Sequence, residues 1–304
     1  MSSHQIDILP SYQIDKQKWD DCIYKSGNSL IYVQSYYLDA LSDNWHGIIV
    51  NDYDCIMPIP WRKKLGIRYC YDVPFIQQLG YFNTNDDIKY TPLMDAFSSF
   101  IKYGHYNFNY NNHAISDRAD VITATNFIIE LTDKETVTNN FTKSCKQSLQ
   151  NSAKHDMTYV SASPAEPIEM HRGLYKSKLK MFRQDDYSNF TRLAEKLNET
   201  GNCLARKIIN KEGHTLSIVL LLKDERRLYN MINVTNEEGR KKEANYFLYA
   251  KVFDEFAGKG LLFDLEGSEL AGVKSFYKKF GATDQPYYRM HINHLPIPIK
   301  HFAP

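Results

Sequence analysis

Residues able to move protons gather near the end of the chain. Glu266 and Ser268 follow a short stretch over residues 261–265, LLFDL, that reads as a strand. That strand should end where two sheets splay apart, a place that suits an acid or a base. The competing reading is a helix N-cap with an acidic neighbour, and Ser268 ahead of residues 269–277 fits it well. Tyr277 follows on a segment where Val273, Phe276, Tyr277 and Phe280 fall at helical spacing, stopped by Gly281. There a core tyrosine with one hydrogen-bond partner is the plain reading.

Other candidates are binding groups. Lys143, Lys146, Lys154 and Arg183 suit a phosphate-bearing ligand, or else form a solvated helix face. Between Lys143 and Arg183 eight Lys or Arg stand against three acids, a local excess of +5. Gln77 and Gln78 lie in a turn-rich stretch over 72–80, whose amides can satisfy their own backbone. Asn230 and Asn233 could bond a substrate amide, but strand alternation allows only one of them to face a given pocket. His291 and His294 lack a third ligand nearby, so they read as a surface pair and no metal is expected. No Ser-His-Asp or Cys-His order and no G-x-S-x-G elbow is present.

The elements that must position these groups follow from periodicity. Residues 167–181 and 189–198 read as helices; 203–209, 215–222 and 228–234 read as an antiparallel meander. A polar loop over 235–243 leads to an apolar helix over 244–257, ended by Gly258 and Gly260. A last strand spans 287–292. The first half repeats this order loosely: helices at 16–25, 36–41 and 92–103, with strands at 47–50, 54–58, 67–71, 106–110 and 126–131. One helix over 133–154 should join the halves. Phe141, Cys145, Leu149 and Ala153 form its buried stripe, and Lys143, Lys146, Gln150 and Lys154 a basic one.

Composition narrows the classes further. The chain has 304 residues, 43% hydrophobic, enough for one or two cores, and a net charge of +1. That balance excludes a polybasic DNA-binding protein, and 13% aromatic content argues against disorder. Five cysteines without CxxC spacing point to a reduced, cytoplasmic chain. The longest apolar run, 218–222, is far short of a membrane span, and the first residues lack the pattern of a signal peptide.

The stretch SFYKKFGA over 275–282 resembles the last helix of the GNAT acyltransferases, typically FYxxxGF, with Ala282 in place of Phe. Preceded by LLFDLEGS over 261–268, it resembles the C-terminal half of FemAB-like acyltransferases. SCKQSLQNSAK over 144–154 resembles that family's basic helix. The resemblance implies an α/β (α+β) fold of two GNAT-like subdomains, each a mixed, mostly antiparallel sheet flanked by helices. They would span residues 1–155, with the linker helix, and 156–304. It also implies that Tyr277 protonates a leaving group and that Gln77 and Gln78 line the acceptor channel. The loop at 236–243 departs from the R/Q-x-x-G-x-G/A pattern of acyl-CoA users, with one glycine and three consecutive cations.

The expectation is therefore an N-acyltransferase acting by direct attack of an amine, without an acyl-enzyme. Tyr277 and Glu266 are the catalytic candidates; Lys146, Arg183, Asn233, Ser268, Gln77 and Gln78 are the binding candidates. The donor stays open between acyl-CoA, such as acetyl-CoA, aminoacyl-tRNA or another activated acyl group. The acceptor is a small-molecule or cell-envelope-precursor amine. The rival readings are a catalytically silent module binding a nucleotide, aminoacyl-tRNA or glycan, and a scaffold with a tyrosine-rich surface.

Overall fold

Alternating apolar residues and turn signals assemble two units in a computed structural model, which describes residues 4–84, 88–175, 182–267, 269–297 and 300. The first unit comprises Met1–Ala124 and Pro286–Pro304, the second Thr125–Gln285.

In the first unit a four-stranded antiparallel sheet runs in the order Ile6–Pro10, Trp45–Val50, Cys55–Pro60, Phe82–Asn83. A five-stranded sheet follows the order Arg62–Lys64, Ile67–Cys70, Tyr103–Phe108, Tyr287–Asn293, Val121–Ala124. Helices Lys16–Lys25, Ser35–Leu41 and Tyr90–Phe100 bury Trp19, Tyr37 and Phe97. Asp15 caps the first helix, accepting from the backbone N–H groups of Gln17 and Lys18. The last strand thus belongs to the first unit, whereas a boundary at residue 155 would put it with the second half.

The second unit is built on a seven-stranded sheet. Its order is Met157–Ala162, Cys203–Asn210, Thr215–Lys223, Arg227–Thr235, Leu262–Asp264, Phe127–Glu130, Thr283–Asp284. The pairs are antiparallel apart from Arg227–Thr235 with Leu262–Asp264, which run parallel. The helix Ala244–Phe256 lies on one face, burying Leu248, Tyr249, Val252 and Phe253 in a cluster with Phe263, Tyr277 and Phe280. Helices Ala165–Tyr175 and Gln184–Glu199 also pack on the sheet, and the second buries Phe190, Leu193 and Leu197. Among the described residues no helix is long and apolar enough to cross a membrane.

The linker differs from the single helix expected. It forms two helices, Lys134–Asn139 and Lys143–Ser152. Thr142 caps the second, its hydroxyl accepting from the Cys145 N–H at 3.2 Å, and so the chain breaks there. Phe141 turns inward, edge-on to Phe280 at 5.3 Å. Cys145 stays on the buried stripe, but Ala153 is exposed and Ser152 is buried in its place. The loop after residue 235 also differs, since it holds a short helix, Glu237–Lys241, capped by Asn236.

Candidate active site

The site begins where two parallel strands stop pairing. Arg227, Leu228 and Tyr229 register with Leu262, Phe263 and Asp264, and there the pairing ends. The first strand continues along Thr215–Lys223 to Thr235. The second ends, and its chain turns away through Glu266. A pocket of about 800 Å³ opens in the fork. Its walls include Asn230, Asn233, Glu266 and Tyr277, with Arg240, Asn245 and Tyr246 from the following loop and helix. A crevice at the carboxyl ends of splaying strands is a usual place for a ligand.

A β-bulge changes which side chains face it. Leu221 pairs with Asn230 and Leu220 with Ile232, so Met231 is an extra residue. Asn233 pairs with Val219. Leu221 and Val219 are two apart and share a face, and so Asn230 and Asn233 do too. The expectation that only one asparagine faces the pocket is therefore corrected, because the bulge inserts a residue between them. Asn233 donates from Nδ2 to Asn245 Oδ1 at 3.0 Å, and Ser217 Oγ donates to the same oxygen at 3.1 Å. Asn230 Nδ2 reaches the Leu265 carbonyl at 3.5 Å, but its Oδ1 is enclosed without a partner.

Glu266 is held in the left-handed region, φ +53°, which costs a non-glycine residue on the order of 1 kcal/mol. A buried network sustains it. Asp264 Oδ1 accepts from the Glu266 N–H at 3.1 Å and from Asn126 Nδ2 at 3.0 Å. Asp264 Oδ2 accepts from Arg227 Nη1 at 2.9 Å, with side chains only 0% and 2% exposed. Asn126 Oδ1 accepts the Gly267 N–H at 2.7 Å. The Glu266 carboxyl itself is dry at one end, its Oε1 enclosed and unpartnered. Burial pushes its pKa up to about 8.

Gly267 has no room for a side chain, since a Cβ there would lie 1.7 Å from the Thr125 carbonyl oxygen. Gly267→Ala should destabilise the fold by about 2–4 kcal/mol and displace Glu266. A lowered denaturant midpoint with reduced ligand binding would show it.

Tyr277 is buried, 7% exposed, on the helix Ala271–Lys279. Its phenol is held above the ordinary range, first by burial and then by the Glu266 charge. Tyr249 and Asn230 lie near enough to pull it partly back. Even so, neither Tyr249 Oη nor Asn230 Oδ1 closes a hydrogen bond of good geometry.

Of the residues expected to act, Glu266, Tyr277 and Asn233 come together in this pocket. Ser268 lies outside the described residues, and the N-cap position of the last helix of the unit is Leu270, not Ser268. Lys146 stands on the exposed face of its helix, its Nζ donating to the Asn139 carbonyl at 3.4 Å. Arg183 closes the N-terminus of Gln184–Glu199 in a capping box with Asp186. Neither lines the pocket. Gln77 and Gln78 belong to the first unit. Gln78 is buried, donating to Gln77 Oε1 at 2.9 Å and accepting from the Tyr110 N–H at 3.0 Å. These amides serve their own loop and its neighbour.

Sequence reasoning gave no site role to Asn245 or Tyr246, read Arg240 only as one of three consecutive cations in the loop over 236–243 and Phe276 only as part of an apolar helix face; all four line the pocket. Asn245 did carry a signal, being an amide at the start of an otherwise apolar helix. The five cysteines are all buried, and burial pushes those at 22, 145 and 203 up to about 12. None of the five lines the pocket. Among the described residues no group of three or more His, Cys, Asp or Glu is placed to hold a metal ion.

No protein-family profile matches the sequence, and no curated protein matches it significantly. Solved structures do. FemX superposes with a TM-score of 0.65 at 13% identity, over 97% of this chain and 99% of its own. A tandem GNAT protein from the clavulanic acid biosynthesis pathway superposes with a TM-score of 0.57 at 9% identity, over 96% and 99%. The chain has the FemAB-like tandem GNAT fold. L-PGS from Bacillus licheniformis shares it, with a TM-score of 0.55 at 13% identity over 95% of each chain. At these identities the likeness is one of fold. Within the tandem GNAT fold, the fork described above lies in the second unit.

Proposed function

We propose that this protein is an N-acyltransferase whose reaction takes place in the fork between Arg227–Thr235 and Leu262–Asp264. One observation carries the reading. A carboxyl raised to about 8 and a buried phenol face one pocket in a tandem GNAT fold.

The chemistry follows from those two groups. An amine arrives as its ammonium, and the Glu266 carboxylate takes one proton. The freed lone pair attacks the acyl carbonyl carbon. As the tetrahedral intermediate collapses, the bond to the leaving group breaks and Tyr277 protonates it. The second proton shed by nitrogen returns to the Tyr277 oxygen, and Glu266 releases the first to solvent. No covalent acyl-enzyme is needed, which accords with thiols that burial keeps protonated. Positioning then supplies much of the rate.

An acyl-CoA fits as donor on the chain's own features. The helix Ala244–Phe256 starts at the pocket, where first-turn N–H groups favour anions. Arg240 also lines the wall, its Nη1 donating to the Thr235 carbonyl at 2.8 Å. Lys146 and Arg183, both exposed, are the proposed contacts for a larger anionic carrier such as a tRNA.

A thermal-shift panel of acyl-CoAs, free CoA and aminoacyl-tRNA tests the reading, since a tight donor raises the melting temperature by mass action. Tyr277→Phe should keep that shift while turnover to an amine falls by about 10²-fold or more. A donor that binds both proteins and is turned over by neither would mark a silent binding module.

A further inference from the structure

A hairpin at the edge of the first unit's five-stranded sheet carries a feature that the fold does not use. Its strands are Arg62–Lys64 and Ile67–Cys70, with Lys64 opposite Ile67 and only Leu65 and Gly66 between them. Both turn residues have positive φ, +49° and +83°. Such a turn favours asparagine or glycine, and a leucine there is strained. The Leu65 side chain is also 93% exposed, so packing within the chain gives nothing back. The surrounding residues 61–68, WRKKLGIR, hold four cations and no acid. Two of the cations fix the base. Arg62 Nε donates to Asp43 Oδ2 at 2.5 Å, and its guanidinium lies 3.7 Å from the Tyr71 ring centre. Arg68 lies 4.2 Å from the Phe100 ring centre. Lys63 and Lys64 are exposed, and among the described residues no carboxylate pairs with either. Lysines on an edge strand can serve simply to block edge-to-edge pairing. That accounts for Lys63 and Lys64 and leaves Leu65 unexplained.

We infer that this hairpin docks the protein on an anionic lipid surface. Leu65 enters the interface, and Lys63 and Lys64 lie against the negative headgroups. The shape and charge of the tip choose this occupant. A stable protein partner needs about 800 Å² of shaped surface on each side, far more than a four-residue tip offers. A lipid interface deforms around a narrow protrusion and needs only an apolar end ringed by cations. Single-stranded RNA is held largely by stacking on aromatic rings, and the tip has none. The nearest indole, Trp61, is engaged at the base, its Nε1 donating to His46 Nδ1 at 3.0 Å. One leucine and two lysines make a weak, reversible contact, which needs no membrane-spanning helix. The inference stands whether or not the fork transfers an acyl group.

The experiment is co-sedimentation of the full chain with vesicles of phosphatidylcholine alone, or of equal parts phosphatidylcholine and phosphatidylglycerol. Wild type should sediment with the anionic vesicles at about 0.05 M NaCl, largely dissociate at about 0.5 M, and ignore the neutral ones. Leu65→Asn keeps every charge and should bind about 10-fold more weakly. Its melting temperature should be no lower than that of wild type, because asparagine suits the turn. Lys63→Gln with Lys64→Gln should weaken binding by about 5-fold per lysine, about 30-fold together. Failure of wild type to bind the anionic vesicles overturns the inference. So does equal binding by wild type and Leu65→Asn, which leaves a contact made by charge alone. A lower melting temperature for Leu65→Asn also overturns it, by making Leu65 a residue of the fold. A single-stranded RNA that binds wild type and Leu65→Asn alike, and the lysine variant weakly, while the vesicles do not bind, would give the hairpin to nucleic acid instead.

Discussion

Glu266→Gln is expected to lower kcat/KM by about 10²–10⁴-fold while making the protein more stable. The two effects share one cause. Burial raises the Glu266 carboxyl to about 8, above the ordinary carboxyl range, so the native state binds its proton more tightly than the unfolded chain. Stability from that proton is fully present below the ordinary value and is lost as pH rises through about 8. The glutamine cannot ionise and escapes the loss. Its advantage should be near zero at about pH 4 and reach about 2 kcal/mol near pH 9, a figure that allows for water at the exposed edge of the residue. Activity runs the other way. The base acts as carboxylate, so wild-type kcat/KM should climb toward a plateau above about pH 8, and the glutamine variant should lack that limb. Denaturant unfolding at the two pH extremes and a pH–rate profile check both halves. A variant that is less active and also less stable near pH 9 would make Glu266 a structural residue.

Asp264→Ala should destabilise the fold by about 3–5 kcal/mol, the largest effect expected of any single change. The substitution takes the Asp264 carboxylate away from the buried Arg227 guanidinium, 2% exposed, and leaves Asn126 Nδ2 and the Glu266 N–H without the oxygen they donate to. Gln285 Oε1, which accepts from Arg227 Nη1 at 2.8 Å, is neutral and does not replace the lost carboxylate charge. A drop in the denaturant midpoint with an unchanged slope would report it. Arg227→Met combined with Asp264→Leu should recover part of the loss, because no charge then stays buried alone. Turnover should not recover with it, since the network that holds Glu266 in its left-handed turn is still missing.

Much of this was legible in the sequence for local reasons. The helix Lys16–Lys25 and the meander from Cys203 to Thr235 announce themselves by caps, turns and periodicity. Glu266 and Tyr277 are adjacent features of a strand end and the helix after it, and a short motif covers both. What escaped depends on partners distant in sequence. The shared face of Asn230 and Asn233 comes from a bulge, a property of the register with Thr215–Lys223 that no single strand displays. Tyr287–Asn293 pairs with Tyr103–Phe108, far earlier in the chain, which local periodicity does not encode. Met157–Ala162 was missed because an edge strand is half-buried and shows weak alternation. The break at Thr142 did leave a trace, a threonine three residues before a buried Cys145, but the apolar spacing across it still read as one helix.

The central claim is that the fork in the second unit transfers an acyl group to an amine through Glu266. The most direct test is mass-spectrometric detection of the amide product from a panel of acyl-CoAs and aminoacyl-tRNAs, each mixed with a primary amine. Wild type should form the amide with at least one donor, and Glu266→Gln, folded and equally able to bind that donor, should form it about 10²-fold or more slowly. Equal rates in the two proteins, or no amide from any donor, would contradict the account.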